Sequence, residues 1–313
     1  MLTAPRLTVA DGVLDLMEIV GAAGSGASAG SGQSADPAPG DVAVLTYTSG
    51  TTGQPKGAMN THAGLVHGGC TYREWMDLTP ADSVLGIAPL FHITGLVARI
   101  CLSLLLPCPL VLAHRFQAAV LLDALREHQP TFTTGAITAL TRLADESAAD
   151  GSPADDFASL RIVYSGGAPI APAVNEAFQA ATGIYIHIIY GLTETNSPTH
   201  AVPFGAAAPV DPATGALSIG VPVFGTVARI LNDGGAEAPV GEIGEIAVSG
   251  PQVIPGYWTP GGARGGGSRG ARPRARRDGQ GVRLAQGRGV GHPGRAHRVR
   301  PGDDGRLQVP ARR

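Results

Sequence analysis

The chain has 313 residues, 43% of them hydrophobic, enough to bury a sizeable core in one large domain or two smaller ones. A formal net charge of -2 argues against nucleic acid or a membrane surface as the main partner. That average conceals two unlike parts, because residues 260–313 hold fourteen arginines against three aspartates, a balance of +11, leaving -13 for residues 1–259. Cys70, Cys101 and Cys108 form no C-x-x-C pair, which fits a reducing, cytoplasmic setting. The N-terminus has no basic region followed by an apolar run, so no signal peptide is expected.

Residues 1–40 are expected to be a residual N-terminal segment and a flexible linker, since 21–40 are rich in Gly, Ala and Ser without apolar period. A folded core is expected over 41–258. Short apolar runs bounded by turn residues alternate there with stretches of helical period, the pattern of an α/β fold with parallel strands. Strands are predicted at Val42–Tyr47, Ser83–Ala88, Leu110–Ala113, Thr131–Thr134, Arg161–Ser165 and Ile184–Ile189. The apolar stretch from Ile93 to Leu112 contains Arg99, Pro107 and Pro109, so it reads as a buried helix followed by a strand and not as a membrane span. Helices are predicted at Gln117–His128, with Val120, Leu121, Ala124 and Leu125 on one face, and at Ala171–Ala181, with Pro172 in its first turn. Beyond Tyr190, the runs Leu217–Ile219, Thr226–Leu231 and Glu245–Ser249 point to a smaller β-rich part.

The sharpest motif is Leu45-Thr46-Tyr47-Thr48-Ser49-Gly50-Thr51-Thr52-Gly53-Gln54-Pro55-Lys56-Gly57, directly after a predicted strand. Glycines allow a tight turn with inward N–H groups, hydroxyls add donors and the lysine adds a cation, so the string is built to hold polyphosphate. It is not G-x-x-x-x-G-K-[ST], because Pro55 stands where that pattern needs glycine, and a P-loop ATPase is disfavoured. Lys56 is the only lysine in the chain. His62 and His67, five apart on a predicted helix, do not share a face well enough to hold a metal and read as structural or exposed.

This string resembles the phosphate loop of the adenylate-forming superfamily of acyl-CoA synthetases, aryl-CoA ligases, luciferases and adenylation domains. Further strings agree in the same order: Pro89-Leu90-Phe91-His92-Ile93-Thr94-Gly95, Ser165-Gly166-Gly167-Ala168-Pro169, Tyr190-Gly191-Leu192-Thr193-Glu194-Thr195, then Gly241-Glu242-Ile243-Gly244-Glu245-Ile246 and Gly256-Tyr257-Trp258. The resemblance implies layered parallel-sheet subdomains of an adenylate-forming N-terminal domain with a smaller β-rich part, truncated at both ends. It implies that Thr48, Ser49, Gly50, Thr51, Thr52, Gly53 and Lys56 grip the phosphates of ATP. Gly167, Ala168, Pro169, Tyr190 and Gly191 would frame the adenine. Thr193 would touch the α-phosphate, Glu194 would hold Mg²⁺, and His92 would stand by the acyl channel. Lys56, Thr193 and Glu194 are thus the expected catalytic set, with ATP, Mg²⁺, CoA and a carboxylic acid, on motif likeness a fatty acid, as the small-molecule partners. The alternatives are a nucleotide-binding remnant without turnover and a module that loads a carrier-protein thiol.

Two departures stand beside the resemblance. Only 45 residues precede Thr46, and after Trp258 there is neither a Thr-Gly-Asp element nor a further lysine, both of which the superfamily carries. Residues 259–313 are Arg/Gly-rich with few large apolar side chains, too few to offset the entropy of ordering them, and are expected to be disordered. Their composition is what GC-rich codons give out of frame, so a shift of reading frame near codon 259 is the expectation. A basic tail for nucleic acid ranks below it for want of interleaved aromatics.

Overall fold

The computed structural model describes residues 36–48, 55–113, 115–212 and 214–258. The chain divides into two compact units, residues 1–41 and 42–313. In the first, the described residues end in a turn where the Asp41 carboxylate accepts the Ala38 N–H at 2.8 Å.

In the second unit the described elements are, in order, β1 (Val42–Thr48), β2 (Lys56–Thr61), α1 (His62–Trp75) and β3 (Val84–Gly86). Next comes α2, a continuous helix of Ile93–Gly95, a π-helical stretch Leu96–Cys101 and Leu102–Leu105. β4 (Leu110–Leu112), α3 (Ala118–His128), β5 (Phe132–Gly135), α4 (Ile137–Asp150), α5 (Pro153–Asp156), β6 (Ile162–Ser165), α6 (Pro172–Thr182) and β7 (Ile186–Tyr190) follow. A 3-10 turn at Thr193–Thr195 leads to β8 (His200–Ala201), β9 (Val221–Pro222), β10 (Val227–Leu231), β11 (Glu245–Ser249) and β12 (Tyr257–Trp258).

The main sheet has seven strands in the order β4-β3-β5-β6-β7-β8-β9. Its first five strands pair in parallel, and β8 and β9 are added antiparallel. Parallel strands need helices on both faces, and the strand sequences reflect it. In β6, Ile162 and Tyr164 face one core while Val163 faces the other, because side chains alternate along a strand. One face packs on α3, α4 and α6 through Leu121, Leu125, Leu140, Leu143 and Phe178. The other packs on α1 and α2 through Leu65, Tyr72, Val97 and Leu102.

Local chemistry sets where these helices stop. α3 ends at Gln129, in the left-handed region at φ 48°, whose N–H bonds back to the Leu125 carbonyl before Pro130 forbids another turn. α6 opens on Pro172 and ends at Gly183 with φ 79°. Asn175 ties α6 to β7, its amide bonding the Ile186 N–H at 3.0 Å and carbonyl at 2.9 Å.

The α/β architecture expected from the sequence is the one found, with three differences in detail. β1 is not a strand of the parallel sheet: it pairs antiparallel with β2, Thr48 opposite Lys56, in a separate sheet of order β1-β2-β12. Thr48 and Lys56, two residues of the Gly/Thr-rich string, are thereby paired across antiparallel strands. The strand predicted at Ile184–Ile189 lies at Ile186–Tyr190, and Leu217–Ile219 contributes only a single bridge, Leu217 to Val210. β10 and β11 form a two-stranded sheet in the region expected to be β-rich. Among the described residues no helix is long and apolar enough to cross a membrane.

Candidate active site

In open parallel sheets, ligands bind beyond the carboxyl ends of the strands. Two of the predicted strings begin there. β6 runs into Ser165-Gly166-Gly167, and β7 ends on Tyr190 beside it. Gly166 is required by crowding, since a Cβ there would lie 2.5 Å from the Ile189 carbonyl oxygen of the neighbouring strand. Gly167 is required by its φ of 82°, beyond which Ala168 and Pro169 are exposed. The Tyr190 ring is partly buried, 5.8 Å from the His200 ring at 65°, and its carbonyl accepts the Thr199 N–H at 2.8 Å. A Cβ at Gly191 would come within 3.1 Å of Ser197 Cα, which keeps the chain tight where it leaves β7.

The Thr193–Thr195 turn is fixed by Thr195, whose Oγ1 accepts the Leu192 N–H at 2.9 Å and donates to the Leu192 carbonyl at 3.1 Å. Glu194 sits on this turn, partly exposed. Its Oε1 accepts the Tyr257 hydroxyl at 2.6 Å, and its carbonyl accepts the Ile254 N–H at 2.9 Å. Burial and then the Glu194 carboxylate push the Tyr257 pKa above its ordinary value, so the hydroxyl remains a donor. On the same ring lies Lys56, its Nζ 5.5 Å from the Tyr257 centroid, within reach of a cation–π contact. One tyrosine thus brings together the lysine of the phosphate-loop string and the glutamate of the second string.

Thr48 ends β1 opposite Lys56. Ser49, Gly50, Thr51, Thr52 and Gly53 lie outside the described residues. His92 caps α2, its Nδ1 accepting the Thr94 N–H at 3.2 Å; the residue is open to solvent on one side, and desolvation of the side packed on the protein pushes its pKa down. The string it belongs to folds back tightly, since a Cβ at Gly95 would fall 2.0 Å from the Pro89 carbonyl oxygen. Thr94 Oγ1 then reaches Ser197 Oγ at 3.3 Å, joining this string to the segment after Glu194.

Sequence reading missed a buried amide node that holds these pieces in register. Asn60 on β2 donates from Nδ2 to the Thr193 carbonyl at 3.0 Å and to Asn196 Oδ1 at 2.9 Å, while Thr46 Oγ1 donates to its Oδ1. Asn196 Nδ2 donates to the Gln252 carbonyl at 2.9 Å. Gly64 and Gly68 of α1 admit this segment, since a Cβ on them would lie 2.5 Å from Asn196 Nδ2 and 3.0 Å from the Asn196 carbonyl oxygen. The only sequence signal was the asparagine directly after the second string.

Among the described residues no three His, Cys, Asp or Glu side chains gather as a metal cage. A single carboxylate still suits Mg²⁺, which is commonly held by one or two carboxylates together with substrate phosphates. His62 begins α1, and His67 Nε2 is 3.2 Å from the Phe224 carbonyl oxygen; burial pushes the His67 pKa down.

The chain is 35% identical over 223 residues to a sulfoacetate–CoA ligase of Cupriavidus necator, covering 71% of this chain and 42% of that protein. It is 37% identical to a long-chain-fatty-acid–CoA ligase of Bacillus subtilis over 70% of this chain and 38% of the relative. The crystal structure of ATP-bound MatB from Rhodopseudomonas palustris superposes with a TM-score of 0.62 at 30% identity, over 71% of this chain and 42% of that one. The chain therefore spans about two fifths of the length of these relatives. Residues 5–258 match the family of AMP-binding enzymes, and the chain belongs to it.

Proposed function

We propose that this chain carries the nucleotide-binding core of an ATP-dependent, AMP-forming acid–thiol ligase. In that reaction a carboxylate oxygen attacks the α-phosphorus of ATP, the bond to the β-phosphate breaks and pyrophosphate leaves. The CoA thiol then attacks the acyl carbon, loses its proton and displaces AMP. The observation that carries the reading is the Tyr257 bridge, with Lys56 5.5 Å from its ring centroid and Glu194 2.6 Å from its hydroxyl.

In this reading Thr48 and Lys56, with Ser49, Gly50, Thr51, Thr52 and Gly53 of the same string, hold the β- and γ-phosphates. Thr193 meets the α-phosphate, and Gly167, Ala168, Pro169, Tyr190 and Gly191 frame the base. Glu194 would hold Mg²⁺, which supplies charge neutralisation on the phosphates. Tyr257 orients Glu194 by donating to it, and the Asn60–Asn196 node keeps the turn bearing Glu194 at a fixed distance from the strand bearing Lys56. His92, at the cap of α2, borders the acid. Motif likeness favours a fatty acid. The relatives' names do not choose, since sulfoacetate carries a second acidic group and a long-chain fatty acid does not.

The test is acid-dependent ATP–pyrophosphate exchange on the 313-residue chain, with Lys56→Ala beside it. Exchange that needs an acid and falls about a hundredfold or more in the variant supports adenylation, a loss of the size seen when one electrostatic stabiliser is removed. ATP binding without exchange, for any acid, refutes turnover by this chain and leaves a nucleotide-binding remnant.

A further inference from the structure

Two charged side chains of fixed sign are buried among the described residues, Asp82 at 5% exposure and Arg99 at 3%. Asp82 is fully engaged, accepting from Arg161, Thr131 and Thr79. Arg99 is not, for among the described residues its Nε and Nη2 have no hydrogen-bond partner. Burial pushes its pKa down to about 10, with no acidic neighbour opposing the shift, so it stays charged at neutral pH. A dehydrated guanidinium without an anion is one of the costliest groups a core can hold, and its retention calls for an anion supplied from elsewhere.

Its position says where that anion comes from. Arg99 lies in the π-helical stretch Leu96–Cys101 of α2, directly after the Pro89–Gly95 string. Such widened turns recur at functional sites. Its Nη1 reaches Gly86, the last residue of β3, where an added Cβ would lie 3.1 Å from that nitrogen and 2.9 Å from Leu112 Cδ2. The guanidinium therefore sits at the carboxyl edge of the parallel sheet, the edge that carries Gly166, Gly167 and Tyr190. β3 and β6 are separated only by β5, so this cation stands about 10 Å along the edge from the end of β6. A planar fork of donors in an apolar setting matches the paired oxygens of a carboxylate or sulfonate.

We propose that Arg99 anchors a second anionic group of the acid substrate, so that the acid activated here is a dicarboxylate or a sulfocarboxylate and not a plain fatty acid. The proposal rests on the carboxylate-activating reading and names the substrate class for it. It also replaces the fatty acid suggested by motif likeness, because an alkyl tail would leave the guanidinium buried and unpaired.

The experiment is a calorimetric titration of the full chain, with a non-hydrolysable ATP analogue present, using matched acids: hexanoate against hexanedioate, and propionate against 3-sulfopropionate. At least one dianion should bind about tenfold to a hundredfold tighter than its partner, the range for hydrogen bonds to a charged group. Arg99→Met should abolish that preference and Arg99→Lys should keep part of it. Equal or weaker binding of both dianions by the unaltered chain, or binding of no acid at all, overturns the proposal whatever the variants do. A preference that survives Arg99→Met overturns it as well. Pyrophosphate exchange with the same acids separates the two readings. Exchange without a dianion preference sinks the role of Arg99 and leaves adenylation standing, whereas an Arg99-dependent preference in binding without exchange upholds the anion site and sinks turnover by this chain.

Discussion

The two ends of the parallel sheet are built on opposite principles. At the amino end, Asp82 before β3, Thr131 before β5 and Arg161 before β6 close a complete network. Arg161 donates from Nε and Nη2 to Asp82 at 2.9 Å each, Thr131 Oγ1 donates to Asp82 at 2.7 Å, and the Ser83 N–H donates to Thr131 Oγ1 at 3.1 Å. At the carboxyl end, Arg99 Nε and Nη2 and Ser165 Oγ are buried without partners among the described residues. A group whose hydrogen bonds are all made within the protein has none left for a ligand, while one left unmet is available to a ligand. If Arg99 binds the substrate's second anion as proposed, stability belongs to one edge of the sheet and recognition to the other.

The largest effect that would test this division belongs to the amino edge. Asp82→Ala removes a buried carboxylate that holds an exposed guanidinium and a threonine hydroxyl, and should lower the unfolding free energy by about 2 kcal/mol or more in urea titration. The same group sets an acid limit. Burial alone would raise the Asp82 pKa, but the Arg161 guanidinium with the Thr79 and Thr131 donors overcomes it and brings it to about 2. A carboxyl with a native pKa below its unfolded value near 4 stabilises fully above that value, and its contribution fades as pH falls from about 4 through about 2. Asp82→Asn should flatten that part of a stability-versus-pH curve.

A smaller effect is expected at the amide node, which lies by the carboxyl edge but is satisfied in the manner of the amino edge. Asn60→Ala strips the Thr193 carbonyl and Asn196 Oδ1 of their donor and should cost about 2 kcal/mol by the same titration. The smallest change is expected from Arg99→Met, within about 1 kcal/mol of the unaltered chain or stabilising, because a buried unpaired charge contributes nothing favourable to lose. A loss above about 2 kcal/mol there would mean that both edges are built alike and would break the comparison.

Much of this layout is legible in the residues themselves. The 3–4 spacing of Leu121 and Leu125 marks α3, Pro172 and Gly183 bracket α6, and Glu245–Ser249 alternates as a strand should. What escaped has physical reasons. β2 reads KGAMNT, with one large apolar side chain among Lys, Gly, Asn and Thr, too polar to declare itself as a strand. β8 and β12 are two-residue strands held by their neighbours. Asn60, Asn196 and Gln252 carry no motif, because their meaning is a meeting in space. Arg99 is conspicuous in sequence only as an obstacle to a membrane span; its lack of a partner is a tertiary fact.

The Asn60–Asn196 bond also bears on the order in which the molecule is assembled. It joins residues 136 positions apart, and the companion bond to the Gln252 carbonyl closes a further 56. Closing so long a chain segment is entropically dear, so contacts of this kind form after the shorter hairpin and strand–helix–strand closures are in place. The strand bearing Lys56 and the turn bearing Glu194 are thus expected to come together late in folding, and Asn60→Ala should speed unfolding while leaving the folding rate nearly unchanged in a chevron measurement. Interactions absent from the folding transition state act chiefly on the rate of escape from the native state. The node's main effect is then on lifetime: it governs how long the candidate site persists once formed, more than how fast the chain reaches it.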